Sequence, residues 1–133
     1  MLTSTVASRT QPRLTSLAPQ FLVDNLDRTI AFYRDVLGFA FAEPWAGFYA
    51  IGARDGLELH LKCAPKTAAD RAHRRTQEHL DAYAGVDGIE AFYAQCMAQG
   101  ATIIKPLAET AWGTKDFYVE DPDGYILGFG GTH

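Results

Sequence analysis

The sequence predicts an α+β fold in which two βαβββ modules form a curved mixed sheet around a cleft. Internal repetition is the first sign. Ala31-Phe32-Tyr33 recurs 60 residues later as Ala91-Phe92-Tyr93, and each triplet follows an apolar residue and an aspartate, Leu26-Asp27 and Val86-Asp87, at the same spacing. A pair of Asp-Gly turns, Asp55-Gly56 and Asp123-Gly124, offset by 68 residues, is the second sign, each opening a short strand. Size is the third: a unit of this length cannot bury its apolar face alone, so two copies, or two chains, must pack together. The modules fall at residues 17–63 and 78–130 of one domain spanning 16–133.

The elements follow in order. Leu17 to Val23 reads as a strand, and Asn25 or Asp27 caps a helix that runs to about Leu37, where Gly38 stops it. Its stripe of Leu26, Ile30, Tyr33 and Leu37 has the helical period. Three strands are expected next, at Ala40 to Glu43, Gly47 to Gly52 and Leu57 to Cys63, separated by Pro44 and by Asp55-Gly56. Residues 65–77 read as a polar connector, whose Arg71, Arg74 and Arg75 suit a solvated face. The second module repeats the order with a strand from Glu78 to Tyr83, a helix from Asp87 to Gln99 stopped by Gly100, and strands near Ile103, from Lys115 to Glu120 and from Tyr125 to Phe129.

Composition narrows the function. With 47% hydrophobic residues in 133, the chain has material for a real core. Twelve Lys and Arg against sixteen Asp and Glu give a net charge of −4, which argues against a nucleic-acid footprint. No apolar run approaches the roughly 18 residues needed to cross a bilayer, so no membrane association is expected. Residues 1–15, rich in Ser and Thr with Arg9 and Arg13 and no acid, read as a flexible N-terminal arm. Cys63 and Cys96 form no CxxC pair and suit a reducing compartment as small buried residues, which makes cytoplasmic the expected location.

The run from Asn25 through Leu37-Gly38-Phe39 and the segment Phe117-Tyr118-Val119-Glu120-Asp121-Pro122-Asp123-Gly124 resemble the vicinal oxygen chelate superfamily. That grouping includes glyoxalase I, the extradiol dioxygenases, the fosfomycin-resistance enzymes and the bleomycin-resistance proteins, and the likeness runs from about residue 17 to the C-terminus. The resemblance implies a divalent-metal site built from His, Glu or Gln on the first and last strand of each module. Carried over one at a time, those positions fall on Ala18, His60, His79 and Gly128. Ala18 and Gly128 have no donor atom, and a catalytic site normally needs three protein ligands. The expectation is therefore no metal and no cofactor. The alternative is an ion such as Zn, Ni, Mn or Fe held by His60 and His79, with Glu58 or Gln20, which share the faces of His60 and Ala18, completing the set.

Strand neighbours at even spacing add Asp81, Tyr83 and Ile126 to the concave surface. Aromatic residues surround it: Trp45, Phe48 and Tyr49 in the first module, Trp112, Phe117 and Tyr118 in the second. Trp112, in a loop before a strand, suits the rim of a site more than a core, and bleomycin-resistance proteins have a similar Trp-Gly element. The expected ligand-binding set is Trp45, Phe48, Glu58, His60, His79, Asp81, Tyr83 and Trp112, with Gly128 and Gly130 leaving the floor open. Glu109 joins Glu58 and Asp81 as attraction for a cation.

Two readings follow. The first is a metal-independent protein that sequesters a planar or partly apolar small molecule in an aromatic cleft. The second is a metal-dependent glyoxalase-like lyase or isomerase, or a dioxygenase, using His60 and His79, with Glu58 as ligand or general base. A structural or regulatory subunit is a third possibility, and no catalytic residue follows from the sequence alone. The uncovered face of each module further predicts a homodimer, the first half of one chain meeting the second half of the other.

Overall fold

The computed structural model describes residues 11–64 and 71–132, with the backbone alone for residues 71–73. Residues 1–10 of the expected arm and 65–70 of the expected connector lie outside the described residues, while 11–15 are exposed. The first module contains β1 (Gln20–Val23), α1 (Leu26–Asp35), β2 (Ala40–Phe41), β3 (Tyr49–Arg54) and β4 (Leu57–Cys63). A short helix, α2 (Arg71–Thr76), precedes the second module, which contains β5 (Ala82–Gly85), α3 (Ile89–Ala98), β6 (Thr102–Glu109), β7 (Lys115–Glu120) and β8 (Ile126–Gly131). The repeat is thus real at the level of topology. Sheet one has the order β1-β4-β3-β2 and sheet two the equivalent order β5-β8-β7-β6, with a parallel pair of first and last strands in each.

Local chemistry sets the element ends. Asn25 caps α1 by accepting from the Arg28 N–H at 3.0 Å. Gly38, at φ +77, then turns the chain back so that the Phe39 N–H donates to the Tyr33 carbonyl at 2.9 Å. The strand expected from Gly47 starts instead at Tyr49, because Ala46 and Gly47 both have positive φ and spend themselves on a turn. The strand expected at Ala40 to Glu43 is only Ala40–Phe41, and that at Leu17 to Val23 begins at Gln20.

The largest correction falls at Glu78 to Tyr83. Glu78 N–H and His79 N–H donate to the carbonyls of Arg75 and Arg74, so these residues still close the end of α2, with Glu78 at φ 55. The strand therefore begins at Ala82, and His79 and Asp81 precede it.

Each helix covers one face of its own sheet. Phe21, Val23, Ala50, Leu59 and Leu61 lie under α1, and Phe117, Val119, Leu127 and Phe129 lie under α3, all in one contiguous buried cluster. By the strand registers, the opposite face of sheet one carries Gln20, Tyr49, Ile51, Glu58, His60 and Lys62, and that of sheet two carries Tyr83, Asp116, Tyr118, Gly128 and Gly130.

The modules meet through the turn between β7 and β8. Buried Asp121 accepts from the Tyr33 hydroxyl at 2.7 Å, and buried Asp123 accepts from the Thr29 hydroxyl at 2.5 Å and from Arg28 at 3.0 Å. Burial, against the Tyr33 and backbone hydrogen bonds, pushes the Asp121 carboxyl up to about 6. The Tyr125 hydroxyl accepts from the Leu22 N–H at 3.0 Å and donates to the Leu22 carbonyl at 2.9 Å, while its ring stacks on Phe21 at 4.5 Å. Arg54 makes a second link, donating to the Leu37 carbonyl at 2.7 Å with its guanidinium 5.1 Å from the Phe92 ring centre.

Candidate functional site

The uncovered face of sheet one is built around Tyr49. Its hydroxyl lies 2.7 Å from His60 Nδ1 and accepts from Gln20 Nε2 at 3.0 Å, because the register places Gln20 opposite His60 and His60 opposite Ile51, two residues from Tyr49 and on the same face. Glu58 Oε1 stands 3.8 Å from His60 Nε2. The result is a polar row, Gln20, Tyr49, His60 and Glu58, across three adjacent strands. Trp45 and Phe48 flank the turn before β3, each with its ring edge-on to Tyr49 at 6.4 and 6.1 Å. With Tyr49 and Ile51 they line an apolar recess of about 370 Å³.

Tyr83 governs the uncovered face of sheet two. Its side chain crosses the places where Gly128 and Gly130 have none, and its hydroxyl donates to Asp116 Oδ1 at 3.2 Å. Burial, then the negative Asp116, raises the Tyr83 hydroxyl above its ordinary pKa. Thr114 also donates to Asp116, at 2.8 Å, and ties the turn between β6 and β7 by accepting from and donating to Thr110. Trp112 stands at the tip of that turn with 71% of its surface exposed. Lys105 lies 5.2 Å from the Tyr118 ring centre and 3.6 Å from Glu78.

Of the expected ligand-binding set, Trp45, Phe48, Glu58 and His60 stand together on sheet one, and Tyr83 stands on sheet two with Trp112 at its hairpin tip. His79 is exposed and outside the strand. Asp81 is committed to structure, paired with Arg74 and accepting from the Ile126 N–H at 2.8 Å. Phe117 is fully buried under α3 and belongs to the core. The floor expected to lie open at Gly128 is filled, since a side-chain carbon there would meet Leu80, Tyr83 and Tyr118 at 2.6, 3.1 and 3.3 Å. Asp116 was not singled out by the sequence because its role depends on Gly130 lying opposite it in the register.

The donors do not fit a divalent ion within one chain. His60 Nδ1 is taken by Tyr49, the Gly128 position has no room for a ligand, and His79 lies outside its strand. Among the described residues no three His, Cys, Asp or Glu side chains converge as a metal site would require. The cysteines do not add to the chemistry. Cys63 is partly buried, not fully, and buried Cys96 has its thiol pushed up to about 11 by burial.

A larger cavity, about 510 Å³, opens between the modules on the helix side. Phe39, Leu57, Phe92 and Phe129 form much of its wall, and none of the expected ligand-binding residues reaches it. Its cation, Arg54, is held by the Leu37 carbonyl and Asp55, so this space reads as the joint between modules.

The chain belongs to the glyoxalase/bleomycin resistance protein/dioxygenase superfamily, whose family model matches residues 14–129. No curated protein sequence matches it. Among solved structures it is similar to TioX from Micromonospora sp. ML1, at 16% identity and a TM-score of 0.70 over 90% of this chain and 100% of that one. It is also similar to a glyoxalase-related enzyme from Clostridium phytofermentans, at 15% identity and a TM-score of 0.72 over 93% of this chain and 99% of that one. Lactoylglutathione lyase from Agrobacterium tumefaciens gives 18% identity and a TM-score of 0.66 over 90% and 95%. Identities this low make the likeness one of fold.

Proposed function

We propose that this protein binds a planar or partly apolar small molecule without a resident metal, in the manner of a sequestering protein. One observation carries the reading: the sheet faces that the helices leave uncovered, and the hairpin tips beside them, present large aromatics to solvent. Trp45, Phe48, Tyr83 and Trp112 are 56, 45, 51 and 71% exposed, whereas isolated soluble chains seldom leave such surface grouped and bare. Two copies, each supplying one sheet, complete two equivalent clefts, with Trp45 and Phe48 of one copy facing Trp112 and Tyr83 of the other. Affinity then comes from stacking and buried apolar area, with the polar row on sheet one as anchor.

The proximity of His60 and Glu58 favours the second reading, a metal-dependent lyase, isomerase or dioxygenase, at this one place. Among the described residues no third His, Cys, Asp or Glu joins the pair. Metal analysis of protein purified without chelator, together with titration by a fluorescent planar dye, separates the two. Saturable dye binding with metal well below one ion per chain is expected; near-stoichiometric zinc, nickel, manganese or iron lost on His60→Ala overturns the reading.

A further inference from the structure

A buried carboxylate is normally met by a cation or by donors on both of its oxygens. Asp116 has neither. It is 2% exposed, on the face of sheet two that no helix covers. Its two hydrogen bonds, from the Tyr83 hydroxyl at 3.2 Å and the Thr114 hydroxyl at 2.8 Å, come from neutral groups and both arrive at Oδ1. Oδ2 accepts none. Nor is that oxygen sealed in, since among the described residues the one enclosed side-chain atom without a partner is Arg74 Nε.

The cations nearby are spent elsewhere. Arg74, Arg75, Lys105 and Lys115 are the Lys and Arg side chains described in α2 and the second module, and each pairs with another acid. The register shows where a countercharge is missing. In sheet one Lys62 stands opposite Tyr49, two residues after His60; in sheet two the position two residues after Gly128 is Gly130, and it stands opposite Asp116. A lysine there could answer the carboxylate, but the space over Gly130 holds the Tyr83 hydroxyl and Asp116 Oδ1.

We infer that the half-site on sheet two takes a flat organic cation, whose protonated nitrogen donates to Oδ2 of Asp116 while its rings stack on Tyr83 and Trp112. This rests on the aromatic-site reading above and adds charge as the selecting property. Tyr83 serves both parts, since its hydroxyl holds Oδ1 and its half-exposed ring offers a stacking face. Trp112 stands at the tip of the same turn that Thr114 ties. An aromatic face attracts a cation as well as a flat ring, so the two contacts favour the same ligand.

Proflavine and acridine are suitable probes, both flat and three-ringed, the first a cation at pH 8 and the second neutral. Calorimetric titration in about 0.5 M salt, which screens the exposed acids, measures affinity, and NMR of the Tyr83 ring signals locates the probe. Proflavine is expected to bind about tenfold more tightly than acridine, the worth of one charge-assisted hydrogen bond. Asp116→Asn keeps an acceptor for Tyr83 and Thr114 and removes the charge, so it should weaken proflavine about tenfold and change acridine by less than about twofold. If that variant fails to fold, the carboxyl-carbon signal of Asp116 in the native protein serves instead, and it should shift with proflavine and not with acridine. Equal affinities in the native protein, a proflavine preference that survives Asp116→Asn, or an Asp116 signal indifferent to proflavine overturns the inference while leaving the aromatic site standing. A dimer that Asp116→Asn splits would overturn it too, because the carboxylate would then serve the contact between copies. Neither probe shifting the Tyr83 signals would remove the aromatic site and the inference together.

Discussion

Gly130 shows how tightly a single residue shapes the uncovered face of sheet two. A side-chain carbon there would overlap the Tyr83 hydroxyl and the Asp116 carboxylate, so the glycine is what lets the Tyr83 ring lie flat on its sheet. Gly130→Ala is expected to cost about 1–3 kcal/mol, the range for forcing extra carbon into a packed site. Adding Tyr83→Phe removes one of the two obstructions and should recover part of the loss, as read by chemical denaturation. No loss in the single variant would mean that Tyr83 leaves Asp116 freely. The sequence pointed to Gly128 and Gly130 as close-approach positions, but what approaches is the chain's own tyrosine. That outcome depends on strand register, which composition and spacing do not encode.

At the scale of elements, the hairpin of β6 and β7 keeps Trp112, the proposed ligand contact, apart from the fold. Pro106 sits on β6, an outer strand of sheet two, where a missing N–H is tolerated. The tip is tied by Thr110 and Thr114 and not by the indole it displays. Trp112→Ala should therefore change stability by no more than about 0.5 kcal/mol while weakening a stacked planar ligand roughly tenfold. Thermal melting beside a dye titration measures both, and a large melting loss with unchanged binding would take Trp112 out of the site.

Much of this layer was legible beforehand. β4 and β7 fall where Leu57–Cys63 and Lys115–Glu120 were expected, and Asn25 caps its helix, because Asp-Gly turns, alternation and caps are local signals. The end of α2 was not legible. Arg71–Thr76 is too short and too polar to show a helical stripe, so the sequence alone points to a strand from Glu78 to Tyr83 and places His79 on a face it does not share. The pairing of Tyr49 with His60 likewise needs the register of two strands, and of the two only His60 belongs to the expected ligand-binding set.

For the molecule as a whole, the β7–β8 turn couples stability to pH. Asp121 titrates at about 6 in the folded chain against an ordinary 3.8. A folded-state pKa above the unfolded one means that the native protein holds the proton more tightly, so this contribution is full below pH 4 and is lost as pH rises through 6. The span corresponds to up to about 3 kcal/mol. Asp121→Asn keeps an acceptor for the N–H groups of Asp123 and Tyr125 and does not titrate. Its stability relative to the native chain should rise between pH 4 and pH 6.5 and then level off. A difference independent of pH in urea denaturation would count against Asp121 as the titrating group.

Association is the other prediction at this scale. Sedimentation at micromolar concentration is expected to show a species of twice 14.6 kDa, and a clean monomer would mean that the two half-sites do not meet by pairing of chains.

The contact of Tyr125 with Leu22 bears on a different hazard. β1 is an outer strand of sheet one, and Leu22 points its N–H and carbonyl away from β4, where a stray strand could add to the ladder. One phenol occupies both groups, and Asp123 takes the next outward N–H, that of Asp24. The opposite margin, β2, is two residues long. The second module therefore guards sheet one against runaway strand addition, leaving little of that sheet's margin on which amyloid-like stacking can start.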